Sequence, residues 1–445
     1  MKQLSNGAIE SSHFESLYPD TSRFSEIEKI LKFVKAGNSV QLIGLPGVGR
    51  SNLLGLLSYN RKVREKHLSE NQKWFHFVLC NFSEIRKKPL FEATKFIFLS
   101  LVDSLRERRM DKEYEALDKI FKESVVSNDE LVLFQGLKRA IDFMCIEKEL
   151  TVVFLFDRFE EYISEISTEF FANLRILRNR AKYRFSVVFS LNRPLEDLIE
   201  PMLFADFYEF LAGNIVYLQL LDKPGLDFRI SYLEKVSNKQ FSNSTIQAII
   251  DLTAGHGKLT RLCAEAISAQ DLRLKTYDLR KLLLEQKAIY GACYEIWFSL
   301  IPSEQAEILS KKYDSEYLGS IGLIKNNKVA IPLFEKFISA IKQSSNQTIS
   351  FDPVSNEIKK GETIISDTLT SSEFRLLKFL LENPDRIIER EEIIKSVWKD
   401  TKSQEGVTDQ ALDQLIFRLR KKIEDDPNNP KHLQTLKGKG IRFVS

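Results

Sequence analysis

The segment LIGLPGVGRSNLL, residues 42–54, joins a short apolar run to a glycine-rich turn and the start of a predicted helix. The turn contains Gly44, Gly47 and Gly49. Bare backbone N–H groups in such a turn, together with the positive end of the following helix, are suited to bind phosphate oxygens. Ser51 follows at the spacing where a hydroxyl binds Mg²⁺. We therefore predict a loop that binds ATP or ADP with Mg²⁺.

Arg50 stands in this loop where the phosphate-binding motif ordinarily has Lys. Arginine keeps the positive charge, but it presents a bulky planar fork instead of a compact point charge. Because phosphoryl transfer depends on positioning and charge stabilisation, we expect nucleotide binding to survive and hydrolysis to be slow or absent. The neighbouring Asn52 is a further candidate contact. The sequence does not decide whether the protein is an enzyme. At most, we expect slow ATP hydrolysis.

Composition allows several domains and points to no single class of partner. The chain has 445 residues, of which 43% are hydrophobic, and a formal net charge of +3. A net charge so close to zero gives no indication of nucleic-acid binding. Any prediction of such binding must therefore depend on how charge is distributed along the chain. We find no signal-peptide pattern and no uncharged run of the roughly 20 residues that span a bilayer. The four cysteines form no C-x-x-C pair, so we predict a cytoplasmic protein without membrane partners.

Apolar runs too short for helices indicate a buried parallel sheet. The first is SVQL before the glycines, and four more follow: 74–80, 151–157, 185–192 and 215–221. Helical stretches separate these runs, which is typical of a parallel α/β sheet. From about residue 222 the pattern becomes helical, and a polar stretch at 342–350 resembles a linker. Short strands, helices and a final hairpin follow it.

Polar residues end two of the predicted strands. Asp157 closes TVVFLFD at the sheet edge where ligands bind, and it is a candidate Mg²⁺ ligand with Ser51. Glu160 or Glu161 could polarise an attacking water, although a solvated helix start explains both equally well. Arg193 follows the fourth run and could sense a γ-phosphate, although a surface strand end would look similar.

Residues 18–290 resemble the P-loop ATPases of the AAA+ and STAND type. The matching segments are SRFSEIEKI at 22–30, DRFEE at 157–161 and LTAGHGKLTRLC at 252–263. The resemblance implies a strand order of 5-1-4-3-2, a helical lid and an arginine sensor at Arg193. It also implies that His256 approaches the nucleotide phosphates, although a capping or core histidine is as compatible with the residues.

The last hundred residues segregate charge. LTSSEFRLLKFLLEN, residues 369–383, opens with a predicted capping box from Thr370 to Glu373. A second amphipathic helix is followed by a third, and HLQTLKGKGIRFV at 432–444 predicts a glycine-tipped hairpin. Residues 418–442 include eight Lys or Arg residues and only three acidic residues. A basic helix followed by a basic hairpin indicates contact with double-stranded DNA.

These segments closely resemble the winged-helix output domain of OmpR/PhoB-type response regulators. The resemblance implies that the helix beginning near Val407 enters the major groove and that the wing approaches the minor groove. Arg418 is the leading candidate for base contact. The full set of DNA-binding candidates is Gln410, Gln414, Arg418, Arg420, Lys421, Thr435, Lys437, Lys439 and Arg442. Gln410, Leu415 and Phe417 depart from the basic or polar residues common in the family, so we expect fewer phosphate contacts and a different target.

The predicted fold class is a multidomain α/β, α and winged-helix chain. It comprises a P-loop NTPase core with a parallel sheet, a helical lid, a connector resembling a degenerate winged helix, and a C-terminal OmpR/PhoB-like winged helix. The boundaries are 1–221, 222–290, 291–345 and 346–445.

This organisation favours a nucleotide-binding, sequence-specific transcription regulator that forms homo-oligomers, at least on DNA. We expect such a protein in the bacterial cytoplasm, associated with the nucleoid when bound. An initiator or DNA-remodelling ATPase resembling Orc/Cdc6 proteins is an alternative. A STAND-type signalling or defence protein is a second.

Overall fold

The fold is taken from a computed structural model of the chain. The structure describes residues 13–270, 283–345, 348–361, 363–399, 409–424, 426–427, 430–436 and 438–444. The chain divides into two compact units, an N-terminal unit of Met1–Lys336 and a C-terminal unit of Phe337–Ser445. The finer division into four segments stays a prediction.

A five-stranded parallel sheet organises the N-terminal unit. Its strands are β1 (Val40–Ile43), β2 (Phe75–Asn81), β3 (Thr151–Asp157), β4 (Phe185–Leu191) and β5 (Ile215–Tyr217). Their order across the sheet is β2-β3-β4-β1-β5, with every pairing parallel. This confirms the predicted α/β sheet and the strand order that the resemblance implied.

The central strands are apolar because helices cover both faces of the sheet. β1 and β4 are buried along their whole length, and β3 is buried from its second residue to Asp157. The fifth strand is shorter than the predicted run 215–221. The Leu218 N–H still donates to Ile43 O at 2.7 Å, but the Leu221 N–H donates to Gly255 O at 3.1 Å. The chain therefore leaves the sheet there and passes toward the lid helices.

Nine helices among the described residues surround the sheet. They are α1 (Phe24–Lys35), α2 (Arg50–Tyr59), α3 (Arg61–Leu68), α4 (Leu90–Glu107), α5 (Asp111–Val125), α6 (Glu130–Asp142), α7 (Thr168–Ala181), α8 (Leu195–Leu198) and α9 (Pro201–Tyr208). Helix α2 begins directly after the glycine-rich turn, so the positive end of its backbone dipole faces that turn. Phe159 and Tyr162, both fully buried, anchor the chain just after β3.

The ranges predicted as a helical lid and a connector follow the sheet, and those names are kept here for their elements. The lid contains α10 (Lys223–Ser237), α11 (Asn243–Thr253) and α12 (Gly257–Gln270), and the connector contains α13 (Lys287–Phe298), α14 (Pro302–Ser310), α15 (Glu316–Ser320), β6 (Ile324–Lys325), β7 (Lys328–Val329) and α16 (Pro332–Ser345). The division between the two units falls within α16. Asn326 and Asn327 join β6 to β7 with φ of 50° and 57°, as a tight hairpin turn requires.

After the end of α16, the described residues of the C-terminal unit combine two small antiparallel sheets with three helices. Its elements are β8 (Ile349–Asp352), β9 (Glu357–Lys360), β10 (Thr363–Ile364), α17 (Ser371–Leu381), β11 (Ile387–Ile388), α18 (Arg390–Val397), α19 (Asp409–Ile423), β12 (Leu433–Leu436) and β13 (Gly440–Phe443). Strands β12 and β13 form the terminal hairpin, here called the wing, and β11 pairs with β13. The predicted winged helix is confirmed.

A capping box at the start of α17 also links this helix to α19. The Thr370 side chain accepts the Glu373 N–H, and the Glu373 carboxylate accepts the Thr370 N–H at 2.8 Å, which confirms the predicted capping box. The same carboxylate receives Lys422 Nζ of α19 at 2.6 Å. Apolar residues of all three helices, including Leu377, Ile393 and Leu415, share one core with the wing.

Charged residues interrupt even the longest described helix. The 18-residue α4 includes Glu92, Lys95 and Asp103. Across the described residues, no helix combines the length and apolarity needed to cross a membrane.

Candidate nucleotide-binding and DNA-binding sites

The glycine-rich loop between β1 and α2 is packed against the start of the lid helix α12. Gly47 and Gly49 have φ of 77° and 113°, a conformation that favours glycine. The Lys258 N–H donates to Gly47 O at 2.9 Å. A Cβ on Gly47 would lie 2.7 Å from Lys258 Cβ, and one on Gly44 would lie 3.0 Å from Val48 Cγ1. The glycines therefore permit both the loop's path and its contact with the lid.

His256 fastens the lid to this loop. Its Nε2 lies 2.9 Å from Pro46 O, and the Leu259 N–H lies 3.3 Å from its Nδ1. The neutral ring with its proton on Nε2 satisfies both contacts. Complete burial lowers the pKa of His256 to about 4. The ring contacts the loop backbone, and its predicted approach to phosphates remains a prediction.

Ser51 and Asp157 meet at the carboxyl end of the sheet. The Ser51 hydroxyl donates to Asp157 Oδ1 at 3.0 Å, and the Asp157 side chain is almost fully buried. Mg²⁺ prefers such hard oxygen donors and completes its shell with water and phosphate oxygens, so one or two protein oxygens suffice. The pair predicted from the sequence thus fits a magnesium ion shared with a nucleotide.

Arg50 forms an ion pair across the loop. Its Nη2 lies 2.5 Å from Glu160 Oε1, and the two side chains are 11% and 19% exposed. Within the described structure, Arg50 Nη1 and Glu160 Oε2 are buried without hydrogen-bond partners. The cation expected at the phosphates and one carboxylate expected to polarise water therefore neutralise each other. Glu161, the other candidate, pairs with Arg86 and Arg158.

An open cleft of about 710 Å³ lies above the loop. Among the described residues that line it, five are cationic and three acidic: Arg50, Arg158, Arg229, Lys258 and Arg261 against Glu160, Glu161 and Glu295. Gly47, Gly49, Ser51 and Asn52 also line the cleft. Asn52 donates to Glu15 Oε1 at 3.1 Å. The cationic excess suits a polyanion such as a nucleotide.

Arg193 points into the connector. Its Nη1 and Nη2 lie 2.9 Å and 3.1 Å from the two carboxylate oxygens of Glu304, which is 3% exposed. The guanidinium also lies 4.3 Å from the ring centre of Tyr317. Tyr317 in turn donates to Asn192 O at 2.5 Å, and Asn192 lines the cleft.

Sequence reasoning missed Glu304 and Tyr317. The segment IPSE does signal a helix start, because Pro302 opens α14 and the Glu304 carboxylate accepts the Ile301 N–H at 3.1 Å. Nothing in that local pattern indicates a partner 111 residues away.

The solvent face of α19 presents polar, cationic and aromatic side chains. Gln410, Gln414, Phe417, Arg418 and Lys421 are all exposed there. Residues spaced in this way fall on one side of a helix. With the other described residues, the exposed side chain of Arg418 makes no hydrogen bond or ion pair, and it is therefore open to a ligand.

Arg420 instead joins α19 to the wing. Its Nε donates to Leu433 O at 2.9 Å and its Nη2 to Thr435 Oγ1 at 2.8 Å. Arg442 Nη2 donates to Gln434 Oε1 at 2.9 Å within the wing. The predicted DNA contacts of Arg420, Thr435 and Arg442 thus compete with bonds inside the unit.

The wing's position is fixed at its base. The Glu424 carboxylate accepts backbone N–H groups of Lys431, His432 and Leu433 at 2.7–2.9 Å. Lys439 is exposed at the tip. Lys437 lies outside the described residues, so its predicted contact is not located.

Comparisons with known proteins agree with this geometry in the C-terminal unit. Residues 366–443 match the family described as "Transcriptional regulatory protein, C terminal". Protein PetR of Rhodobacter capsulatus is 34% identical over 101 residues, which cover 22% of this chain and 43% of PetR. The chain thus spans less than half the length of that relative.

Parts of the chain also resemble solved structures, including the following two. The RstA DNA-binding domain of Klebsiella pneumoniae, in complex with the RstA box, is 26% identical over 22% of this chain and 90% of its own, with a TM-score of 0.19. A Walker-type ATPase of Pyrococcus abyssi is 15% identical over 74% of this chain and 100% of its own, with a TM-score of 0.45.

Residues 366–443 carry the family match, and the N-terminal unit is characterised by its own sheet and glycine-rich loop. The C-terminal unit carries a winged-helix domain of the OmpR/PhoB-type transcriptional regulatory family, joined in one chain to an N-terminal unit whose parallel sheet has the order β2-β3-β4-β1-β5 and whose glycine-rich loop follows β1.

Proposed function

We propose that this chain is a nucleotide-binding, sequence-specific regulator of transcription, in which the N-terminal unit controls DNA binding by the C-terminal unit. One observation carries the proposal. Helix α19, in a domain of the transcriptional regulatory family, presents an exposed face that includes Gln414, Arg418 and Lys421. Glutamine and arginine are suited to hydrogen-bond base edges in the major groove, and lysine to bind phosphate.

The N-terminal unit supplies the nucleotide site. We assign ATP or ADP with Mg²⁺ to the cleft above the loop, where cations outnumber acids. Ser51 and Asp157 would hold the ion. The bound Mg²⁺ would neutralise phosphate charge, while the loop's N–H groups orient the phosphates.

Turnover is expected to be slow because Arg50 and Glu160 are paired. A phosphate that recruits Arg50 must compete with a carboxylate 2.5 Å away. Even when recruited, the planar guanidinium cannot occupy the compact position of a lysine ammonium. The site therefore suits a switch that responds to which nucleotide is bound.

The path from nucleotide to DNA begins in the connector. Asn192 lines the cleft and accepts a hydrogen bond from Tyr317, while the adjacent Arg193 is held by Glu304. A terminal phosphate that attracts Arg193 would separate it from Glu304. The nucleotide state would then alter how the connector is held and, through it, the C-terminal unit.

We place this regulator in the bacterial cytoplasm, on the nucleoid when bound. Homo-oligomers on repeated sites would raise affinity by avidity, since a second winged helix binds as part of the same complex.

The decisive experiment measures DNA and nucleotide binding on the full chain. Duplexes selected from a random pool should bind in low salt, and their affinity should differ between ATP, ADP and no nucleotide. Failure to bind any duplex in low salt would overturn the proposal.

Hydrolysis by the wild type and by Arg50→Lys, with and without the selected duplex, tests the switch. We expect slow hydrolysis by the wild type, unchanged by DNA, and faster hydrolysis by Arg50→Lys. Rapid DNA-stimulated hydrolysis by the wild type would instead identify an initiator or remodelling ATPase.

A further inference from the structure

An aromatic ring lies in the middle of the exposed face of α19. Phe417 is 43% exposed, whereas the other large apolar side chains of this helix, Leu412, Leu415, Ile416, Leu419 and Ile423, are buried. The buried stripe is complete without Phe417. Its ring therefore contributes little to the core of the C-terminal unit.

Single exposed apolar side chains are ordinary on protein surfaces, so exposure alone assigns nothing. The position of this ring is informative. Along the helix Gln414 precedes it by one turn, Arg418 follows it directly, and Lys421 lies one turn later. The ring thus stands between the side chains best suited to base edges and phosphates.

Lys421 supports the ring in this place. Its Nζ lies 4.7 Å from the centre of the Phe417 ring, a cation–π contact. That contact restricts both side chains before any ligand binds, so less freedom is lost on binding. The ammonium remains exposed and can still meet a phosphate.

We propose that Phe417 selects DNA sites in which a thymine C5-methyl group packs against its ring. The inference rests on the proposed DNA binding and names the base chemistry that the helix reads. In the major groove the base edges present hydrogen-bond donors and acceptors, and the thymine methyl is the apolar group among them. A phenyl ring has no hydrogen bond to offer, so covering that methyl is its favourable contact.

The test removes single methyl groups from DNA. Duplexes are selected from a random-sequence pool by the full chain, and each thymine of the selected site is replaced in turn by deoxyuridine. This replacement deletes the C5-methyl and keeps every hydrogen-bonding group. Binding is measured by fluorescence anisotropy at fixed salt for the wild type, Phe417→Ala and Ile364→Ala. Ile364 is the matched control, because it is also 43% exposed and lies on β10.

We expect one or two thymines at which the wild type loses about three- to tenfold in affinity on loss of the methyl. At those positions Phe417→Ala should bind thymine and deoxyuridine duplexes equally, while Ile364→Ala should behave like the wild type. Thermal unfolding of Phe417→Ala should match that of the wild type, because the ring lies outside the core.

Four results would overturn the inference while leaving DNA binding intact. They are a selected site without a constant thymine, a wild type insensitive to every deoxyuridine, an undiminished methyl effect in Phe417→Ala, and an equal loss of Phe417→Ala affinity on selected and random duplexes. Absence of binding to any duplex would overturn the proposed function itself.

Discussion

The cations of the two candidate sites differ in what they contact. In the N-terminal unit, Arg50 and Arg193 are each held by a carboxylate of the same unit, and both ion pairs are largely buried. In the C-terminal unit, Arg418 is exposed and makes no ion pair among the described residues. A ligand of the first site must exchange partners, whereas a ligand of the second meets an open guanidinium.

This difference teaches what each site is suited to do. Breaking a buried ion pair leaves an unpaired charge in a poorly solvated place, so the two arrangements of such a pair are discrete. A discrete exchange suits a switch. An exposed side chain costs mainly its own conformational freedom on binding, which suits rapid sampling of DNA sequences.

The largest effect should come from Glu304→Ala, which removes the buried partner of Arg193 and leaves it only the longer pair with the half-exposed Asp197 at 3.4 Å. We expect the free energy of unfolding of the N-terminal unit to fall by about 3–5 kcal/mol. Urea unfolding would measure it. The matched control is Glu65→Ala, since the Arg61–Glu65 pair is 63% and 43% exposed and should contribute less than about 1 kcal/mol. Equal effects of the two variants would break the contrast between buried and exposed pairs.

The buried His256 predicts a pH dependence of the same unit. Its folded pKa of about 4 lies below the unfolded value of about 6.5, so the contribution of His256 to stability is constant well above pH 6.5. As the pH falls from 6.5 to 4, the unfolded chain gains the proton first, and unfolding becomes easier by up to about 3 kcal/mol.

The comparison is with His256→Gln, whose amide can still donate to Pro46 O but does not titrate. The stability difference between wild type and variant should shrink over that acid range. His76, also buried with a lowered pKa, is present in both proteins and cancels. Parallel stability curves would show that His256 does not titrate as its burial requires.

Arg418→Ala should remove selectivity without greatly changing binding to random DNA. A bidentate base contact contributes about 1–3 kcal/mol of discrimination, or roughly 5- to 150-fold. Competition between the selected and a random duplex measures it. Arg386→Ala removes an exposed arginine paired with Glu392 and serves as the charge-matched control. Similar losses in both variants would show that charge alone, and not base contact, is involved.

The smallest effect is expected at the wing. Lys437→Ala and Lys439→Ala should each weaken binding to all duplexes alike, by about two- to threefold, and reduce the salt slope by about one. Titrations at several salt concentrations check this. A loss confined to the selected site would move base recognition into the wing.

Much of the fold follows from local sequence patterns. Buried parallel strands appear as unbroken apolar runs, and the capping box at Thr370 and Glu373 marks a helix start directly. The end of β5 was misplaced, because the apolar residues up to Leu221 continue into a segment bonded to Gly255 in the lid. An apolar run therefore indicates an element that packs against the rest of the protein, but not whether its backbone bonds to the sheet or to the lid.

The site was predictable where geometry is local. The loop glycines and the Ser51–Asp157 pair follow from spacing and from the rule that ligands bind at the carboxyl ends of parallel strands. The partners of Arg50, Arg193 and Arg420 were not predicted. These partners lie 110, 111 and 15 residues further along the chain, respectively, and tertiary packing brings them together. The sequence contains many other carboxylates and hydroxyls that could equally have been the partners.

The bonds from Arg420 to Leu433 and Thr435 have a consequence for the length of a target. These bonds hold α19 and the wing at a fixed spacing. The two elements therefore cannot move apart to fit a longer stretch of DNA. Successive base pairs are about 3.4 Å apart. One base pair inserted between the DNA segments that α19 and the wing are proposed to contact should therefore remove one of the two contacts. The effect should not depend on the base sequence of either segment.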